Sequence, residues 1–180
     1  VDLADISFLD LIDTQGDKAI DSLPKKIKQN ERSVAEILAA NMRKMIISER
    51  PNNPAYFDKM SDLLNHLLQE QKDGKIQYKE LIKKLIEKLK EARSTIKTKY
   101  PATIDTKGKQ ALYDNLGKDE ILALRVHETI KANARDGFRD MDSSGLKKMK
   151  ALRRAVERVL QGVEVNIDDI MQLIVAQREY

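Results

Sequence analysis

Apolar residues recur every three to four positions along almost the whole chain, and no stretch shows the period of two that a half-buried strand needs. Ile6, Leu9 and Ile12 predict a short first helix. Val34, Ile37, Leu38, Met42, Met45 and Ile46 form the stripe of a longer one, with Ser33-Val34-Ala35-Glu36 as a capping box that opens or re-caps it. Pro51-Asn52-Asn53-Pro54 stops that helix, because each proline removes a donor and biases its predecessor toward extended backbone. Phe57, Met60, Leu63, Leu64, Leu67 and Leu68 then share one face, which Asp73-Gly74 breaks. Tyr78, Leu81, Ile82, Leu85, Ile86 and Leu89 share the next. Met42, Met45 and Met60 fall on these stripes and read as core.

Periodicity is lost over 94–105, which includes Tyr100-Pro101 and is the best internal boundary. Beyond it, Thr106 is placed to cap a short helix that stops at Gly117. Leu122, Val126 and Ile130 continue on a further helix, with Gly137 at its C′ position and Phe138 folding back onto it. Ser143-Ser144-Gly145 reads as a turn and cap before the stripe Leu146, Met149, Leu152, Val156 and Val159/Leu160, which Gly162 ends. Asn166 caps a last helix, with Asp168 and Asp169 near its positive end and Ile167, Ile170, Met171, Leu173 and Ile174 as its apolar residues. The expectation is an all-α protein: an irregular helical bundle of about seven helices with no sheet. It forms a single helical domain over 1–180, with a division into two lobes, 1–98 and 99–180, left open.

Composition changes this picture little. Apolar residues at 41% support a real core, and the near-absence of aromatic bulk (4%, no Trp) suits helices packed on helices. The absence of Cys excludes disulfides and thiolate metal sites and fits a cytoplasmic location. No apolar run approaches the ~20 residues of a membrane helix, so no membrane partner is expected. No signal peptide is evident, and a first residue of Val rather than Met suggests a fragment of something larger. The net charge of +4 is unevenly placed. Residues 1–24 hold six Asp and one Lys, residues 72–100 ten Lys/Arg and four acids, and residues 145–158 six Lys/Arg and one Glu. Such asymmetry fits either an anionic partner or acidic and basic segments lying side by side.

Catalytic chemistry finds little support. Gly108-Lys109 lacks the preceding glycine of a phosphate-binding loop. His66 and His127 have no second His one turn away, and each reads as a helix-surface or boundary residue. No Ser is flanked by the glycines of a nucleophile elbow. The expectation is no catalytic, cofactor or metal residue in this chain.

The sharpest physical feature is basic. Lys147, Lys150, Arg154 and Arg158 recur at three- and four-residue intervals, away from the Leu146/Met149/Leu152/Val156 stripe, with Lys148 and Arg153 flanking. Such a row can track phosphates, so Lys147, Lys150, Arg153, Arg154 and Arg158 are candidate DNA-phosphate contacts; an ordinary solvated helix face is the other reading. Lys79, Lys83, Lys84, Lys88, Lys90 and Arg93 are interleaved with Glu80, Glu87 and Glu91 and read mainly as ion pairs along an exposed helix. Phe138 and Arg139, just past a helix end, are either a contact knob for another subunit or a cap on the core.

Several strings in fixed order carry a family resemblance. Asn53-Pro54-x-x-Phe57 precedes helices around Leu63 and Leu85. Then come Tyr100-Pro101, Ala111-Leu112-Tyr113-Asp114-Asn115-Leu116-Gly117 with Glu120, Ala123, Leu124 and His127, and Asp136-Gly137-Phe138-Arg139-Asp140. The terminal Gln177-Arg178-Glu179-Tyr180 completes the series. In this order residues 53–180 resemble the C-terminal helical region of the R (motor/restriction) subunit of type I restriction-modification enzymes, departing at Phe138, where Trp is expected in many relatives. The resemblance implies an assembly domain that docks an ATP-dependent translocase/endonuclease onto the methyltransferase core of modification and specificity subunits. Double-stranded DNA is a further implied partner. The full subunit would be an ATP-dependent type I site-specific deoxyribonuclease, with ATP and magnesium bound only in the upstream part. The alternative is a sequence-independent DNA-binding module using the 147–158 basic face.

Overall fold

The structure, a computed structural model, describes residues 16–23, 25–93 and 100–180. The first helix expected around Ile6, Leu9 and Ile12 and the aperiodic segment 94–99 lie outside them. Among the described residues there are eight α-helices and no strand. They are α1 (Lys25–Lys28), α2 (Glu31–Glu49), α3 (Pro54–Lys72), α4 (Tyr78–Arg93), α5 (Lys107–Asn115), α6 (Glu120–Asn133), α7 (Ser143–Val159) and α8 (Ile167–Ala176). Gly16–Ser22 and Arg50–Asn52 are 3₁₀ turns. None of the described helices is long and apolar enough to cross a membrane.

The contacts divide the chain into two compact units, Val1–Glu49 with Phe57–Lys97, and Arg50–Tyr56 with Thr98–Tyr180. Arg50–Tyr56, adjacent in sequence to the first unit, thus belongs with the second.

In the first unit α2 packs on α4, and α1 on α2. All six stripe residues of α2 are buried, as are Leu81, Leu85, Ile86 and Leu89 of α4. The N-cap of α2 differs from the Ser33 expectation. Asn30 supplies it, its Oδ1 accepting the Ser33 N–H at 3.2 Å, so Ser33 already lies in the first turn. Asn competes with Ser for this role, and the extra turn adds Glu31 at the positive helix end. At Pro54 the expectation holds: Asn53 Oδ1 accepts the Tyr56 N–H at 3.3 Å, and proline occupies the first helical position, where it has no donor to lose.

The second unit is built on Ile104, Leu112, Val126, Ile130, Leu152 and Ile174, none more than 1% exposed. Here α6 packs on both α5 and α7, while α8 packs on α5 and on the Arg50–Asn52 turn. Its helices start at side-chain caps: Thr106 on Lys109 N–H, Asp119 on Leu122 N–H, Asp142 on Gly145 N–H, and Asn166 on the Asp168 and Asp169 N–H groups. At the end of α5, Gly117 takes φ +72° and the Lys118 N–H reaches back to the Tyr113 carbonyl at 2.9 Å, a Schellman closure.

Three local expectations are corrected. Gly137 does not close α6, which ends at Asn133; it sits in a separate turn, φ +74°, closed by Phe138 N–H to the Arg135 carbonyl at 3.0 Å. Ser143-Ser144-Gly145 is the first turn of α7 rather than a turn and cap before it, because Asp142 caps one residue earlier. Leu146 is 48% exposed, and the buried inward position is Gly145. A Cβ there would lie 2.1 Å from the Asp140 carbonyl oxygen, so the α6–α7 connection crosses where only glycine fits.

Candidate nucleic-acid interface

Successive residues of an α-helix are rotated by ~100° and rise ~1.5 Å, so Lys147, Lys150, Arg154 and Arg158 occupy a sector of about 80° over about 16 Å of α7. All four are exposed, and among the described residues none of them forms an ion pair. Between and beside them lie Ala151, exposed, and Glu157. Opposite, Leu152 and Val156 are fully buried and fix the orientation of the helix on its unit.

Arg153, also a candidate phosphate contact, differs from these four in being ion-paired. Its Nε binds Glu157 Oε1 at 2.8 Å and a terminal nitrogen binds Asp168 Oδ1 at 2.6 Å. These two carboxylates hold the Arg153 guanidinium more firmly protonated than usual, the Asp168 hydrogen bond being the larger cause. The same ion pair draws Glu157, the acid nearest the row, toward Arg153. Lys148 is also spent inside the protein, donating to the Asp136 carbonyl at 2.7 Å.

Phe138 and Arg139 are placed as structure. Phe138 is 3% exposed in the core, which removes its ring from the surface. The Arg139 guanidinium lies 4.1 Å from that ring centroid and donates to three carbonyls: Nε to Val175 at 3.0 Å, and its terminal nitrogens to Tyr180 at 2.8 Å and Gln177 at 2.7 Å. It therefore clamps the segment after α8. Three further bonds hold that segment. Gln177 donates to the Asn52 carbonyl at 2.5 Å. Glu179 receives the Thr106 hydroxyl at 2.8 Å and the Gly108 N–H at 2.9 Å, placing a carboxylate on the positive start of α5.

His127, expected near the surface, is 3% exposed. Its Nδ1 lies 2.8 Å from the Tyr180 hydroxyl, with Glu179 at 3.8 Å and Glu128 at 4.0 Å from the ring nitrogens. Burial holds His127 below its ordinary pKa, against the attraction of Glu179. Burial likewise raises Tyr180, reinforced by Glu179 and Glu128. The imidazole and the phenol thus share one hydrogen bond in the protein interior. His66 lies exposed on α3, 3.5 Å from Glu70. Among the described residues no group of three His, Asp or Glu is placed to hold a metal ion.

A polar junction that sequence reasoning did not single out joins three of the quoted strings. Asn53 donates to Asp114 Oδ2 at 2.8 Å, the Tyr100 hydroxyl donates to the same carboxylate oxygen, and Asn115 donates to Asn53 Oδ1 at 2.8 Å. Asn115 Oδ1 receives the Ala55 N–H at 3.2 Å. The Asn-Pro and Asp-Asn pairs were the available signal, but nothing in their spacing shows that positions 60 residues apart meet. On α4, the interleaved charges pair along the helix, Lys84 with Glu80 at 3.0 Å and Lys88 with Glu91 at 2.8 Å. No protein-family model matches the chain, and neither a curated protein nor a solved structure matches it.

Proposed function

We propose that this chain is a helical assembly domain of the kind found at the C-terminal end of type I restriction R subunits. It would dock a translocase/endonuclease onto a core of modification and specificity subunits. The proposal originates in the ordered strings of residues 53–180. The observation that carries it is the junction at Asn53: Asn53-Pro54, Tyr100 and Asp114-Asn115, three of those strings, are tied together by side-chain hydrogen bonds. Residues joined in one satisfied hydrogen-bond network hold their part of the fold together. In this reading nucleotide and magnesium chemistry belong to the upstream motor, and this domain contributes surface only. A second reading, contact with DNA through the 147–158 face, is favoured by the four exposed cations that form no ion pair within the described residues.

The test is capture of the chain by purified modification-specificity core, with and without DNA, at low and moderate salt. Retention without DNA that resists salt is the expected result. Retention only with DNA, lost as salt rises, would transfer the function to the second reading, and no retention under either condition would remove the docking role.

A further inference from the structure

We infer that the Lys147/Lys150/Arg154/Arg158 face of α7 is a seat for the sugar-phosphate backbone of double-stranded DNA, read without regard to sequence and in preference to a single strand. The inference rests on the DNA reading of the same face and specifies its partner. Four features carry it.

The row is narrow and straight. Its cations are separated by axial steps of about 4.5, 6 and 6 Å. A duplex strand advances ~3.4 Å of axis per phosphate, so a row of about 16 Å has the length of several phosphates. The row is also uncompensated: its members form no ion pairs among the described residues, and the adjacent Glu157 is held by Arg153. Third, α7 and its flanks contain no aromatic residue from Met141 to Glu179, and Tyr180 is directed inward to His127. Binding of single strands without sequence preference relies on bases stacking on aromatic rings, which this face lacks. Last, the row bears no Asn or Gln for bidentate reading of adenine, and Ala151 lies beside it. Contacts from such cations to phosphates position a backbone and do not specify bases.

The experiment is fluorescence anisotropy of the whole chain with a labelled duplex of about 20 base pairs and with one of its strands, between about 50 and 200 mM salt. The expected result is tighter binding to duplex, little dependence on sequence, and a slope of log K against log salt of roughly −3 to −4, the value for four phosphates. K147Q/K150Q/R154Q/R158Q should lower duplex affinity at low salt at least tenfold and leave the melting temperature and circular dichroism unchanged, since all four side chains are exposed. Equal or tighter binding to the single strand overturns the duplex inference while leaving the DNA reading standing. Absence of binding to either DNA at low salt, or duplex binding untouched by the fourfold variant, overturns both. Salt-sensitive capture of an acidic protein in place of DNA would also overturn it.

Discussion

At the scale of single residues, the second unit is held at its end by groups that look unremarkable in sequence. Arg139 donates to the carbonyls of Val175, Gln177 and Tyr180 from one planar fork. Lysine carries the same charge but presents its donors from one nitrogen and cannot span three carbonyls. R139K should therefore lose about 2 kcal/mol in urea unfolding, close to the loss for R139A. A lysine variant as stable as the parent would show that charge, not the fork, matters. His127 makes a pH prediction. Its folded pKa lies below the ordinary value because it is buried, with Glu179 and Glu128 attracting the proton and Lys109 and Lys131 repelling it. The unfolded chain then binds the proton more readily, so the stability contribution is complete above the unfolded pKa of ~6.5 and is lost as pH falls from there toward the depressed folded value. The melting temperature should fall on acidification through this window, before most carboxylates titrate. H127N should flatten the fall; an equally steep fall in that variant would place the titrating group elsewhere.

At the scale of elements, the apolar period of 3.6 is informative wherever a large side chain faces inward, which is why the stripes of α2, α4 and α8 read directly from sequence. It fails at the start of α7 for a physical reason. The inward position there is Gly145, which carries no hydrophobic signal, and the eye passes to Leu146, which faces water. The caps at Thr106 and Asn166 were legible because each precedes a clear stripe, whereas Asn30 and Asp142 were hidden behind a more familiar Ser-x-x-Glu and a Ser-Ser-Gly turn pattern. The basic row was legible, since spacing alone sets it, but the pairing of Arg153 depends on Asp168, 15 residues away. Gly145 and Gly117 allow a graded test. G145A drives a Cβ to 2.1 Å from backbone at Asp140 and should cost about 2 to 3 kcal/mol. G117A meets nothing within 4 Å and strains only the positive φ, for about 1 kcal/mol. Thermal unfolding of both variants checks the order, and a reversed order would contradict the close approach at α7.

At the scale of the whole molecule, the four cations of the row equal the entire formal net charge of +4. Loss of DNA affinity on neutralising them would therefore be explained equally well by position or by bulk charge. A charge-matched variant separates the two. Lys25, Lys26, Lys79 and Lys83 are exposed, and none forms an ion pair among the described residues. Two lie on α1 and two on α4, so they form no single row. K25Q/K26Q/K79Q/K83Q brings the chain to the same formal charge of zero as the row variant. Long-range attraction depends on total charge and is screened beyond a Debye length of ~8 to 10 Å, whereas phosphate contact depends on cations presented together on one face. The scattered variant should keep a slope of log K against log salt near −3 to −4 and lose affinity less than threefold, while the row variant loses slope and affinity together. Equal losses in the two variants would mean that the DNA is drawn by overall charge and that α7 has no privileged part in holding it.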